Sequence, residues 1–172
     1  MNSNPLHIMI EGPDGAGKST IAEHLSVKLG LPIRVMYTNK HIFETCIEEC
    51  SEIFNRMLAD LKDTSFILPR GFISSLVYSK VYKRNYDLNY IEHVAKLLTP
   101  VVIYLQVDKD VIRKRKEDQF TNDKIFDIID AYEDFFSNPL NLAKYNYELI
   151  KINTSILTVD QTVENLGKLL NI

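Results

Sequence analysis

The chain is poor in several things. Its 172 residues hold two cysteines, no tryptophan, six glycines and six prolines, and its net charge is −3. Cys46 and Cys50 sit four apart on one expected helix face, which sets their Cβ atoms about 5–6 Å apart, too far for an unstrained disulfide. Without neighbouring ligands they also make a poor zinc site, so they read as small buried hydrophobes. The histidines, His7, His24, His41 and His93, are scattered and form no metal constellation. A slightly acidic balance gives no overall pull towards nucleic acid or an anionic membrane, and only a local basic groove stays open. Stable nucleic-acid binding and membrane association are therefore not expected. No apolar run approaches a membrane span, and Met1-Asn2-Ser3-Asn4-Pro5 lacks the basic and apolar regions of a signal peptide. A cytoplasmic protein is the expectation. Repeats, low-complexity tracts and linkers are missing too, so residues 1–172 read as one domain of ordinary globular composition, 45% hydrophobic and 25% charged.

Three of the few glycines fall together. Gly12-Pro13-Asp14-Gly15-Ala16-Gly17-Lys18-Ser19 fits the phosphate-binding loop pattern G-x-x-x-x-G-K-[ST] at every fixed position. The apolar run 6–10 precedes it and a helical pattern beginning at Thr20 follows, which is the setting the pattern requires. The glycines allow a tight turn whose N–H groups converge on a polyphosphate, and the helix N-terminus adds partial positive charge. Lys18 should reach the β- and γ-phosphates of ATP, and the Ser19 hydroxyl should help hold Mg2+. The competing reading is a glycine-rich turn with a lysine at a helix start.

Five short apolar runs read as strands: 6–10, 33–37, 65–68, 101–107 and 147–152. Helical patterns separate them, which points to crossover units and a parallel sheet covered on both faces. The first helix stops at Leu29-Gly30-Leu31-Pro32, a Gly-then-Pro signal. The second spans 41–62, with Phe43, Ile47, Cys50, Phe54, Met57 and Leu61 at steps of three and four, a stripe suited to core or dimer packing. Two helical segments lie between 73 and 98, broken near Asn85-Tyr86-Asp87. Residues 108–118 read as a charged helix, 119–124 as a polar connection and 158–170 as a final helix.

With these pieces in order, the chain resembles the thymidylate kinase-like group of nucleoside monophosphate kinases over most of its length. Glu11 to Thr20 is close to that family's loop. Arg70-Gly71-Phe72-Ile73-Ser74-Ser75-Leu76-Val77-Tyr78 looks like its Asp-Arg and Ser-Ser/Thr-Leu-Ala-Tyr segment. Val102 to Asp108 resembles the strand before its lid, and Ile152 to Leu170 its last strand and helix. The resemblance implies a three-layer α/β P-loop fold with a five-stranded parallel sheet and a short lid near 113–125. It also implies nucleotide-binding roles for Gly12, Asp14, Gly15, Ala16, Gly17, Lys18, Ser19, Thr20 and Arg113. Catalytic roles fall to Lys18, Arg70 and Arg115, the metal contact to Ser19. Asp14 would lie near the acceptor sugar or phosphate, Arg70 would bind the acceptor phosphate, and Arg115 would sit at the lid base near adenine and the β/γ-phosphates. For Arg113 and Arg115 a solvated helix face is the competing reading.

The chain departs from that family in three places. Pro69 stands where the family has an acid before the arginine. The loop carries no arginine, so the catalytic cation would come from Arg113, Arg115, Lys116 or Lys124. The family's Phe-x-x-x-Arg base-reading pair has no counterpart, since Phe54 and Arg56 have the wrong spacing. Three functions stay in contention. The first is an ATP- and Mg2+-dependent (deoxy)nucleoside monophosphate kinase with a small nucleotide acceptor, acting as a homodimer. The second is a deoxynucleoside kinase with a hydroxyl acceptor, and the third a nucleotide-binding module with weakened catalysis. Loss of the acid at position 69 harms the second more than the first. A phosphate is already ionised at neutral pH, whereas a hydroxyl benefits from a base by about 10²–10⁴ in rate.

Overall fold

Strands β1 (His7–Glu11), β2 (Phe66–Pro69), β3 (Val101–Gln106) and β4 (Glu148–Asn153) form one parallel sheet in the order β2-β1-β3-β4. The computed structural model describes residues 5–34, 61–83, 88–116 and 124–170. Helices α1 (Lys18–Leu29), α2 (Phe72–Tyr82), α3 (Leu88–Leu98), α4 (Lys109–Lys116), α5 (Ile125–Ser137), α6 (Pro139–Tyr145) and α7 (Val159–Leu169) complete the described elements.

The apolar runs are continuous because both faces of the sheet are buried. Period-two alternation then sorts them. Ile8, Ile10, Ile67, Ile103 and Leu105 join Ile21, Ala22 and Leu25 of α1 and Val163 and Leu166 of α7 in one core. Met9, Phe66, Leu68, Val102 and Tyr104 point the other way, joining Phe72, Ile73 and Val77 of α2 and Tyr132 and Phe136 of α5. Glu11, two residues after Met9, falls on this second face. It is the only polar side chain of a strand's last position among the described residues to be wholly buried.

The expected five-stranded sheet is corrected to four strands among the described residues. Run 33–37 contributes only the bridge Ile33–Ile67, and residues 35–37 lie outside the description. Among the described residues this bridge rests on two bonds. Ile67 donates to Pro32 O at 2.9 Å and accepts from Arg34 N at 2.8 Å. The next donor along this edge would be the N–H of residue 69, and Pro69 has none. The other strands shift by a residue from their expected bounds. The helix expected over 41–62 lies outside the described residues apart from its end, where Leu61 is buried; Cys46, Cys50, Phe54 and Arg56 go with it.

Local signals set several helix ends. α1 stops at Gly30 in the left-handed region (φ 64°), and α7 opens with a capping box between Thr158 and Gln161. Helices α5 and α6 are additions to the sequence reading. Their cues are present: Ile128, Ile129, Tyr132 and Phe136 at helical spacing, then Asn138 capping Leu140 N with Pro139 in the first turn. Among the described residues no helix is long and apolar enough to cross a membrane.

Candidate active site

The loop leaves the end of β1 with its backbone forced into glycine geometry. Gly12, Gly15 and Gly17 have φ of 147°, 87° and 92°. A Cβ on Gly12 would sit 2.8 Å from Leu105 O, so the loop also presses on β3 too closely for any side chain. Its carbonyls are tied down by named donors. Lys18 Nζ donates to Gly12 O and Pro13 O, both at 2.7 Å. Arg115 donates to Gly15 O at 3.2 Å, Thr154 Oγ1 to Ala16 O at 3.3 Å, and Ile21 N to Gly17 O at 2.9 Å. Ala16 N donates to Pro13 O at 3.2 Å, and the loop's other N–H dipoles are left to meet an anion. Ser19 and Thr20 stand exposed in the first turn of α1.

Next to the loop, the last ladder bond between β1 and β2 is Arg70 N to Ile10 O at 3.0 Å. Arg70 then turns with φ 83°, a left-handed conformation unusual for a side chain larger than glycine. Its guanidinium pairs with the Asp14 carboxylate of the loop and lies 5.2 Å from the Tyr78 ring centroid. Burial pushes the Tyr78 hydroxyl above its ordinary range against the opposing pull of Arg70, which keeps it neutral.

Beneath this pair lies a buried polar cluster. Glu11 Oε1 accepts from Gly71 N at 2.9 Å, and Oε2 accepts from Ser74 Oγ at 2.5 Å. Tyr132 Oη lies 2.8 Å from Ser74 Oγ and 3.4 Å from Glu11 Oε2. Burial raises the Glu11 carboxyl, while the donors from Ser74 and Gly71 and the charge of Lys18 pull it back. The Tyr132 hydroxyl is held well above its usual range, first by burial and then by Glu11, so it stays a donor. Alongside, Tyr104 donates to Glu133 Oε1 at 2.9 Å, and Gln106 Nε2 does so at 3.1 Å.

Of the residues singled out in the sequence, the structure gathers Gly12 to Thr20, Arg70 and Arg115 around one crevice. Arg115 reaches across from α4, bonding Thr154 O at 2.7 Å as well as the loop. Arg113 does not join them. It pairs with Asp110 at 3.6 Å and lies 5.3 Å from the Phe126 ring centroid. Residues 117–123 of the expected lid lie outside the description, and Lys124 at its end lies 4.9 Å from the Tyr82 ring centroid. Ser74 and Tyr132 are residues that sequence reasoning gave no role. The helical spacing around Tyr132 was a signal for its element, and nothing local connects it to Glu11, 121 residues away.

The sequence matches no protein-family model and no curated protein. Solved structures do share its architecture. The YorR protein of Bacillus subtilis, in complex with phosphorylated GDP, has a TM-score of 0.76 at 24% identity, over 96% of this chain and 95% of that one. The fold is that of the P-loop kinases. Deoxyadenosine kinase from M. mycoides with bound dATP has a TM-score of 0.63 at 20% identity, over 97% of this chain and 100% of that one. Thymidylate kinase from Candida albicans has a TM-score of 0.60 at 19% identity, over 98% of this chain and 92% of that one.

Proposed function

We propose that this P-loop protein is a thymidylate kinase-like enzyme that transfers the γ-phosphoryl group of ATP to the phosphate of a (deoxy)nucleoside monophosphate. The observation that carries the reading is the Arg70 turn. It offers a planar, bidentate cation beside the loop, and among the described residues the carboxylates that accompany it are engaged. Pro69 supplies no acid, both oxygens of buried Glu11 accept hydrogen bonds, and Asp14 is paired with Arg70. Such a site suits an acceptor that needs no proton removed.

In this reading Lys18 exchanges the carbonyls of Gly12 and Pro13 for the β/γ-phosphates, and loop N–H groups hold the remaining phosphate oxygens. Arg70, keeping its Nη2 bond to Asp14, grips the acceptor phosphate with the rest of its guanidinium, and Arg115 lines the adenine side. Mg2+ fits the donor set: exposed Ser19 gives one hydroxyl, and this cation keeps water and phosphate oxygens in most of its positions. When bound it would neutralise phosphate charge. The rest is positioning by the chain.

A second reading is a hydroxyl-acceptor kinase with Asp14 as base, favoured by that carboxylate's place at the loop mouth. ADP release with ATP and Mg2+, tested against nucleosides and nucleoside monophosphates in parallel, separates the two. Turnover with monophosphates is the expected result. Turnover with nucleosides alone would move the assignment to the second reading, and ATP binding without turnover on any acceptor would leave a nucleotide-binding module.

A further inference from the structure

Helix α2 begins without a cap of its own. Gly71 occupies the N-cap position, and no side chain of the helix satisfies its first N–H groups. The partner comes from another strand. Glu11, at the last position of β1, places one oxygen on Gly71 N and the other on Ser74 Oγ. Glycine favours this approach, because a Cβ on residue 71 would lie 3.1 Å from Glu11 Oε1 and 2.6 Å from Met9 Sδ and would push both side chains aside. Glu11 is also the residue immediately before the loop, and Gly71 immediately follows Arg70.

We propose that Glu11 is the positioning residue that ties the phosphate loop to the Arg70 turn, so that occupation of the loop is felt at the turn through its carboxylate. It touches no substrate, being wholly buried with both oxygens engaged. Ser74 has one hydroxyl proton. Since it donates to Glu11, it accepts from Tyr132, and the donors run in one direction from α5 through α2 to β1. Tyr132 is itself immobilised, stacked against Tyr104 and Phe136 with ring centroids 5.7 and 6.3 Å away. The Asp14–Arg70 pair is a competing route between the same two segments. Its side chains are 24% and 41% exposed, so solvent and salt screen it, whereas the Glu11 link is shielded.

The proposal rests on the reading of the loop as a polyphosphate cradle, and its test needs no turnover. Amide exchange is followed by NMR with and without saturating tripolyphosphate and Mg2+. In the wild type, exchange should slow at Gly12 to Ser19 and, by about five-fold or more, at Gly71 to Ser74, which meet no phosphate. Glu11→Gln should keep the first effect and lose the second. Asp14→Asn, with the probe raised until its loop is protected, should keep the turn effect. Equal slowing at Gly71 to Ser74 in Glu11→Gln would overturn the proposal, as would a turn indifferent to the probe in the wild type. Loss of the turn effect in Asp14→Asn alone would assign the coupling to the ion pair instead. A loop that the probe does not slow would remove the cradle reading and this proposal with it, an outcome distinct from a protected loop beside an indifferent turn. Should Glu11→Gln fail to fold, Ser74→Ala keeps the Gly71 bond and removes one donor. It should lose most of the turn effect, and an undiminished effect there would overturn the proposal.

Discussion

The phosphate loop and the Arg70 turn stand side by side at the ends of β1 and β2, but they are made by different means. The loop is a backbone device. Its shape follows from three positive-φ glycines, and most of its carbonyls are engaged from within reach of its own sequence. The turn is a tertiary device. Arg70 is presented by a ladder bond from β1, a salt link to the loop, a tyrosine ring from α2 and a helix cap borrowed from Glu11. A backbone device tolerates change around it and fails when its glycines or lysine change. A tertiary device fails by many small routes, each felt first as lost alignment.

Substitutions can break this contrast, and the largest effect is expected at the loop. Lys18→Ala should leave the fold intact and lower phosphoryl transfer by roughly 10³ or more, since it removes a cation from the charge-developing group. Steady-state ADP release checks this, and unchanged turnover in a folded variant would end the kinase reading. Arg70→Lys comes next. A point charge cannot replace the planar fork, so transfer to monophosphates should fall much further than basal ATP hydrolysis. Equal losses in both would assign Arg70 to packing.

Gly71→Ala probes the borrowed cap. The added Cβ meets buried Met9 and Glu11, and overpacking of this kind costs about 1–3 kcal/mol, readable in thermal or urea unfolding. Stability equal to wild type would mean that the approach of Glu11 to α2 is slack. The smallest effect is expected from pH. Glu11 is raised above its ordinary value of 4.5 in the folded chain, so the fold favours its protonated form. Its contribution is present in full below that value and is lost as pH rises through its folded-state titration. The stability of wild type relative to Glu11→Gln should therefore decline as pH rises above about 4.5, until the carboxyl has ionised in the folded chain. Urea unfolding of the pair across this range reads the difference, and a flat difference would remove burial as the dominant influence on Glu11.

Legibility in the sequence followed the same division. The loop, its flanking strand and helix, and the parallel character of the sheet could be read because each depends on neighbours within a few residues. Gly30 with Pro32 marked a helix end for the same reason. Of the expected fifth strand only Ile33 pairs among the described residues, and Pro69, which withholds the next donor on that edge, lies on the partner strand. Arg115 and Arg113 look alike in a charged helix. Only the turn of α4 decides that one faces the loop and the other Phe126. The Glu11–Ser74–Tyr132 cluster joins residues 58 to 121 positions apart, and no spacing rule reaches that far.

Arg70 itself carries one more consequence. A side chain held at φ 83° bears left-handed strain of about 1–2 kcal/mol. Glycine in its place would relieve this at the cost of about 0.5–1 kcal/mol of added freedom in the unfolded chain. The backbone at this position thus prefers glycine, and arginine persists against that preference. A glycine at residue 70 would relax the backbone while giving up the salt link to Asp14 and the contact with the Tyr78 ring, so stability weighs on this position from both sides.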